Sequence, residues 1–260
     1  MHTAKEKSES FLRLLQIMDE LREKCPWDMK QTMESIRHLT LEEVYELSDA
    51  ILNKETDNIR KELGDILLHI VFYARIASES KTFDIKDVID ALCDKLIIRH
   101  PHIYGDVKVS GEEEVKQNWE KIKLREGNKS VLSGVPKGLP SLVKAIRIQE
   151  KARGVGFDWE NKEQVWNKVV EEINELKSET ESKNPNADKI EDEMGDVLFA
   201  LINYARFLNV NPEDALERTN RKFIYRFNYM EQKIKDSGKK MEEVGLQEME
   251  IYWNEAKQQP

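Results

Sequence analysis

Cysteine is almost missing. Cys25 and Cys93 are the only two in 260 residues, in separate segments of the first half, which excludes a disulfide framework and fits a reducing compartment. No run of about 18 apolar residues occurs, so a membrane span is not expected. Residues 1–10 are charged and hold no apolar signal core, so cytoplasmic location is the expectation. An excess of positive charge is lacking as well. The formal net charge is -9 and charged residues make up 35% of the chain, which argues against nucleic acid or an anionic membrane as the main partner. A local cation cluster gripping a small anion stays open. Strand signals are nearly absent, and neither a glycine-rich phosphate loop nor a Ser-His-Asp arrangement can be picked out.

What is present is an acidic pattern, and it occurs twice. Glu42-Glu43-Val44-Tyr45-Glu46-Leu47 is followed by Glu62-Leu63-Gly64-Asp65-Ile66-Leu67. Glu171-Glu172-Ile173-Asn174-Glu175-Leu176 is followed by Glu193-Met194-Gly195-Asp196-Val197-Leu198. Residues three apart on a helix share a face, so Glu172 and Glu175 point together, as do Glu193 and Asp196. The second segment is apolar on most sides (Met194, Val197, Leu198, Phe199, Ala200, Leu201, Ile202), which predicts a buried helix. Ionised carboxylates on its inner face cost several kcal/mol each unless paired or metal-bound. Four of them with few cations nearby imply a bound cation, and an all-oxygen ligand set suits Mg²⁺ or Mn²⁺. A lone Glu-x-x-Glu is ordinarily a solvated face. The repetition, each time with the same Glu-x-Gly-Asp in an apolar run, favours the metal.

Helical spacing organises the rest of the chain. In the first half, one helix stops before Cys25-Pro26-Trp27-Asp28, where proline prevents continuation. Further helices are predicted over residues 39–53, 56–80, 85–99 and 111–125. Gly64 in the third costs about 1 kcal/mol relative to alanine, which points to close backbone packing there. Residues 126–140 read as a linker, rich in glycine, serine and proline. The plan then restarts, with helices over 142–153, 163–182, 189–208 and 212–237 and a last one ending at Lys257. The expectation is an all-α chain of two tandem helical domains, 1–125 and 141–260. The repeat extends to Tyr73-Ala74-Arg75 against Tyr204-Ala205-Arg206, to Lys95 and Arg99 against Lys222 and Arg226, and to a closing Trp-plus-Lys helix in each half.

Lys222 and Arg226, four apart, put two cations on one face. Arginine grips phosphate oxygens bidentately and lysine acts as a point charge. With the carboxylates and a metal they describe a polyphosphate site. Lys168, one turn before Glu172, has two readings, a phosphate contact or an ordinary i,i+4 partner. Trp253 also has two, a platform for a nucleobase or a pin holding the last helix to the core. Trp27 and Trp119 are read as core. His100-Pro101-His102 lacks a flanking carboxylate and is set aside as a ligand. His69 shares a side with Glu62 and Asp65, and its counterpart in the second half is Ala200, so it is read as a hydrogen-bonded core histidine.

These residues resemble the MazG family, nucleoside triphosphate pyrophosphohydrolases of the all-α NTP pyrophosphatase group, over nearly the whole chain. The resemblance rests on Cys25-Pro26-Trp27-Asp28, Thr40-Leu41-Glu42-Glu43, Glu62-Leu63-Gly64-Asp65, Arg99-His100-Pro101-His102, Val155-Gly156-Phe157-Asp158-Trp159, Glu193-Met194-Gly195-Asp196, and Asn220-Arg221-Lys222-Phe223 with Arg226. It implies tandem helical bundles completed by homodimerisation, and Mg²⁺-dependent hydrolysis of NTP or dNTP to the monophosphate and pyrophosphate. It implies that Glu172, Glu175, Glu193 and Asp196 ligate the metal, with Glu171, Lys168, Lys222, Arg226 and Trp253 around the nucleotide. Lys123, Lys189 and Asp192 are implied nearby. For the base that orients water, Glu171, Glu175 and Asp192 all stay open.

The first half keeps Glu43, Glu46, Glu62 and Asp65 as a second metal site but has Leu39 where the second has Lys168, so most activity is expected from the second half. Three rivals remain. One is a single-substrate relative acting on dUTP or phosphoribosyl-ATP. Another is a ferritin-like di-iron protein, disfavoured because Glu-x-x-His is missing at both motifs. The last is a binding module with a dead site.

Overall fold

The structure, a computed structural model, describes residues 1–125 and 130–259, with the backbone alone at 113, 116, 117, 120, 124 and 125. Every regular element among the described residues is helical. The chain divides into two compact units, Met1–Lys108 and Val109–Pro260.

In the first unit, α1 (Ala4–Lys24) leads through a short 3-10 turn to α2 (Met33–Leu52), α3 (Thr56–Glu79), α4 (Ile85–Arg99) and the four-residue α5 (Pro101–Tyr104). The second unit holds α6 (Glu112–Arg125), α7 (Ser141–Gly154), α8 (Lys162–Thr180), α9 (Ala187–Phe207), α10 (Pro212–Asp236) and α11 (Leu246–Lys257). Most predicted ends lie within two residues of these. The exception is α2, which starts at Met33 rather than 39, because Thr32 and Ser35 cap its first turn reciprocally. α6, assigned to the first domain from the sequence, packs against α7 and groups with the second unit. Of the linker 126–140, residues 126–129 lie outside those described; residues 130–140 carry turns, and α7 begins directly after Pro140.

The most extensive helix–helix contact in each unit joins the two acidic helices, α2 with α3 and α8 with α9. Their buried stripes explain why. On α8, Val165, Val169 and Glu172 are buried at spacings of four and three, and on α9 Val197 and Ala200 are buried one and two turns after Glu193. In each helix the acidic residue therefore prolongs the row of core side chains. The first unit's core gathers Met18, Ile36, Val71 and Phe72, and a smaller core in the second joins α10 to α11 through Met230, Ile234 and Val244.

Three expectations fail. α9 is not buried all round: Met194, Leu198, Phe199 and Leu201 stay 40–54% exposed, since α8, with smaller contributions from α7 and α10, covers only part of it. Gly64 makes no close approach within the chain, where a Cβ would meet no atom within 4 Å, and the same holds at Gly195. Trp27 is 55% exposed rather than core, standing on the turn that Pro26 forces between α1 and α2.

Candidate active site

α8 opens on an Asn161 cap, whose Oδ1 accepts from the Gln164 amide at 3.0 Å, and α9 opens on Asn186 in the same way. These caps fix where the acidic residues fall along the paired helices. Carboxylate oxygens of Glu171, Glu172 and Glu175 lie within 4.8 Å of one another, and so do those of Glu172, Glu193 and Asp196. Glu172 belongs to both groups and is buried, so it joins the two helices' acids into one array.

The array is short of positive charge. Burial pushes the Glu193 carboxyl above its ordinary range, and the charges of Glu175, Asp196, Glu172 and Glu179 push it the same way. Its Oε2 is buried without a hydrogen-bond partner among the described residues. Lys168 reaches Glu171 at 2.6 Å and Glu172 at 2.7 Å, and those bonds hold its ammonium above the usual lysine value. Of the two readings of Lys168, the i,i+4 partnership with Glu172 is present in the structure. An orphaned buried carboxylate oxygen among all-oxygen donors is what a hard divalent cation satisfies; the residues fit Mg²⁺.

Beside the array lies a cavity of about 570 Å³ whose lining includes Lys168, Glu172 and Asp196 together with Gln149, Phe157, Trp159 and Asn203. Arg206 and Asp158, also in the lining, pair through two guanidinium nitrogens, and Arg206 Nη2 donates to Asn203 Oδ1 at 2.8 Å. In the sequence, 157–159 stand out only through the family resemblance and 204–206 only as a mark of the repeat. A usable signal was where the repeat breaks, at Ala200 and Asn203 against His69 and Phe72.

The other expected residues fall elsewhere in the second unit. Lys222, Arg226 and Trp253 belong to α10 and α11, outside the cavity lining. There Arg226 sits 5.9 Å from the Trp253 ring centre and Phe223 meets that ring edge-on at 5.1 Å, so Trp253 pins α11 to α10. Lys123 lies over Trp119 at 5.6 Å. Lys189 pairs with Glu179 at 3.6 Å, at the border of the array, and Asp192 is exposed next to Glu193.

The first unit has a corresponding cluster of Glu43, Glu62 and Asp65, with Glu46 close enough to act on Glu43. Burial, then Asp65 and Glu46, push the Glu43 carboxyl up, and Glu62 Oε2 is buried without a hydrogen-bond partner among the described residues. Lys61 reaches Glu62 at 3.2 Å, whereas Leu39 packs against the core. His69 is buried as expected, but its Nδ1 has no hydrogen-bond partner among the described residues, and burial pulls its pKa down.

The MazG nucleotide pyrophosphohydrolase domain matches residues 31–104 and again residues 160–230. The chain belongs to the MazG family. It is 46% identical over 258 residues to the nucleoside triphosphate pyrophosphohydrolase/pyrophosphatase MazG of Thermotoga maritima, covering 97% of this chain and 98% of that protein. It is 42% identical over 254 residues to the nucleoside triphosphate pyrophosphohydrolase of Escherichia coli K12, covering 95% and 97%. An uncharacterised Bacillus subtilis protein, YabN, is 45% identical over 237 residues, which are 90% of this chain and 48% of that one. Each MazG segment contains one acidic helix pair, so the duplication read from the motifs is a tandem of two MazG domains. Gln149, Phe157 and Trp159 precede the second MazG segment, and Trp253 follows it.

Proposed function

We propose that this MazG protein is a Mg²⁺-dependent hydrolase converting NTP and dNTP to the monophosphate and pyrophosphate, with Mn²⁺ as an alternative ion. The single observation that carries this reading is the shared buried Glu172, which links the acids of α8 and α9 while Lys168 grips it at the edge of a cavity. The names of the Thermotoga and Escherichia relatives agree with it. Glu172, Glu175, Glu193 and Asp196 hold the cation. When bound, such an ion supplies screening of the triphosphate charge and polarisation of the α-phosphoryl group.

The chain's own groups do the rest. Lys168 turns from Glu171 and Glu172 to phosphate oxygens once the carboxylates are neutralised, and so stabilises charge growing on the leaving pyrophosphate. Glu171, Glu175 or Asp192 accepts the proton of a water aligned opposite that leaving group. Lys222, Arg226 and Trp253 approach the nucleotide together with Lys123 and Lys189. The second unit carries most of the turnover, because Leu39 replaces Lys168 in the first.

A second copy of this chain covers the exposed apolar rows. These are Leu41, Val44 and Tyr45 on α2 with Leu63, Leu67 and Ile70 on α3, and Trp166, Val170 and Ile173 on α8 with Met194, Leu198 and Leu201 on α9. Equivalent faces standing bare in both units match a homodimer. No helix among the described residues is long and apolar enough to cross a membrane, and both cysteines are free, in keeping with a cytoplasmic enzyme.

Product analysis is the test. NTP incubated with the protein and Mg²⁺ is expected to give NMP and pyrophosphate; NDP and phosphate would overturn the reading. Turnover of dUTP alone, across a panel of NTPs and dNTPs, would favour the single-substrate alternative.

A further inference from the structure

We infer that Glu179 is a positioning residue for the acidic array of the second unit: it draws Lys189 away from Glu193 and so keeps the Glu193 carboxylate free for the cation. The inference rests on the metal reading of the array and adds the device that leaves one of its ligands unpaired.

α8 and α9 each carry a lysine four residues ahead of an acid of the array, Lys168 before Glu172 and Lys189 before Glu193. A lysine and a glutamate at this spacing share one face of a helix and pair readily. On α8 they do, with Lys168 reaching Glu172 at 2.7 Å. On α9 they do not. The Lys189 ammonium crosses instead to the last turn of α8, where it lies 3.6 Å from Glu179. Among the described residues no ion pair joins Lys189 to Glu193, and Glu193 Oε2 is buried without a hydrogen-bond partner. Glu179 lies one turn beyond Glu175, so it stands on the face of α8 that carries the array, and its side chain is only 29% exposed.

Helix stability does not account for the pair. Glu179 sits at the C-terminal end of α8, and Lys189 at the N-terminal end of α9, where its amide donates to the Asn186 cap at 3.3 Å. Each charge therefore faces the like pole of its own helix dipole, a placement that costs helix stability rather than adding to it. What the placement achieves lies between the helices: an ammonium that would neutralise Glu193 is held one turn away from it.

The first unit lacks both members of the pair. Ala50 stands seven residues after Glu43, as Glu179 does after Glu172, and Asn58 stands four before Glu62, as Lys189 does before Glu193. There an ammonium does settle on the acid, since Lys61 reaches Glu62 Oε1 at 3.2 Å.

The test is Mg²⁺ binding by calorimetry, in full-length protein carrying Glu43→Gln and Glu62→Gln so that the second unit's acids alone report. Glu179→Gln is expected to weaken binding about 5-fold, because Lys189 falls back onto Glu193. Lys189→Met is expected not to weaken it, and adding Glu179→Gln to Lys189→Met is expected to cost less than about 2-fold. Three outcomes overturn the proposal. A loss from Lys189→Met as large as that from Glu179→Gln makes the pair a tie between helices; an equal loss from Glu179→Gln in both backgrounds makes Glu179 a negative charge and nothing more; and no loss from Glu179→Gln leaves it without a role at the metal. If circular dichroism shows that Glu179→Gln does not fold, Glu179→Asp, which keeps the charge and shortens its reach, is judged by the same comparison. Absence of Mg²⁺ uptake by the parent and by wild type refutes the metal reading instead.

Discussion

At the scale of single residues, Lys168 carries two bonds and both end on residues of the acidic array. Removing it leaves Glu172 buried with less compensation, yet also removes a competitor for the cation. Lys168→Met is therefore expected to retain Mg²⁺ binding, measured by calorimetry, while losing roughly 10- to 100-fold in kcat/KM, the worth of one charge-assisted phosphate contact. Unchanged kcat/KM would return Lys168 to a plain helix pair. Glu79 gives a pH effect of known sign. Arg22, whose side chain is 9% exposed, hydrogen-bonds it at 2.7 and 2.9 Å and lowers its pKa below the usual 4.5. A depressed carboxylate contributes stability that is present above its unfolded pKa and is lost as pH falls through the folded one. Acid unfolding of Glu79→Gln is expected to show a shallower loss below about pH 4.5. Because Glu79 is 40% exposed, the effect is small, under about 1 kcal/mol. The acids and Lys168 were legible in the sequence because helical spacing alone sets their faces. Gln149 and Trp159 were not, since the cavity they line is made by α7 and the following turn against α8 and α9, a tertiary arrangement that no local spacing encodes.

At the scale of elements, the acidic helices were readable to within a couple of residues. α2 begins six residues before the expected start because Thr32 and Ser35 cap a first turn whose Ile36 is fully buried in the core, one turn ahead of Leu39. Gly64 of the first Glu-x-Gly-Asp motif departs from its expectation in a more informative way. Helix interiors disfavour glycine by about 1 kcal/mol against alanine, and the expected close approach does not occur inside the chain. On α9, Gly195 is exposed between Met194 and Asp196, within one turn of Leu198. Gly195→Ala is expected to raise intrinsic helix stability by up to about 1 kcal/mol and to weaken self-association, because a partner helix packed on that face would meet the new methyl group. Sedimentation across a dilution series reads this out. Association as tight as wild type would put Gly195 outside the interface.

At the scale of the molecule, duplication gives two MazG domains with the same acids and different surroundings. An all-α tandem was legible because the motif repeats in order. The inequality between units was only half legible, through Leu39, while the pairing of Glu179 with Lys189 needed the fold. In both units burial, followed by the charge of neighbouring carboxylates, pushes one carboxyl up, Glu43 in the first and Glu193 in the second, so a divalent cation is expected to raise the melting temperature through either site. Activity should separate what binding does not. Glu43→Gln with Glu62→Gln is expected to abolish one Mg²⁺-linked stabilisation and leave most pyrophosphate release intact. Glu172→Gln with Glu193→Gln is expected to remove the other and to cut release by at least about 100-fold, since the ion and the orientation of Lys168 are lost together. The reverse outcome, near wild-type release from the second pair and none from the first, would assign catalysis to the first unit. In that case Lys61, 3.2 Å from Glu62, would be the nearest ammonium able to stabilise the leaving pyrophosphate in place of Lys168.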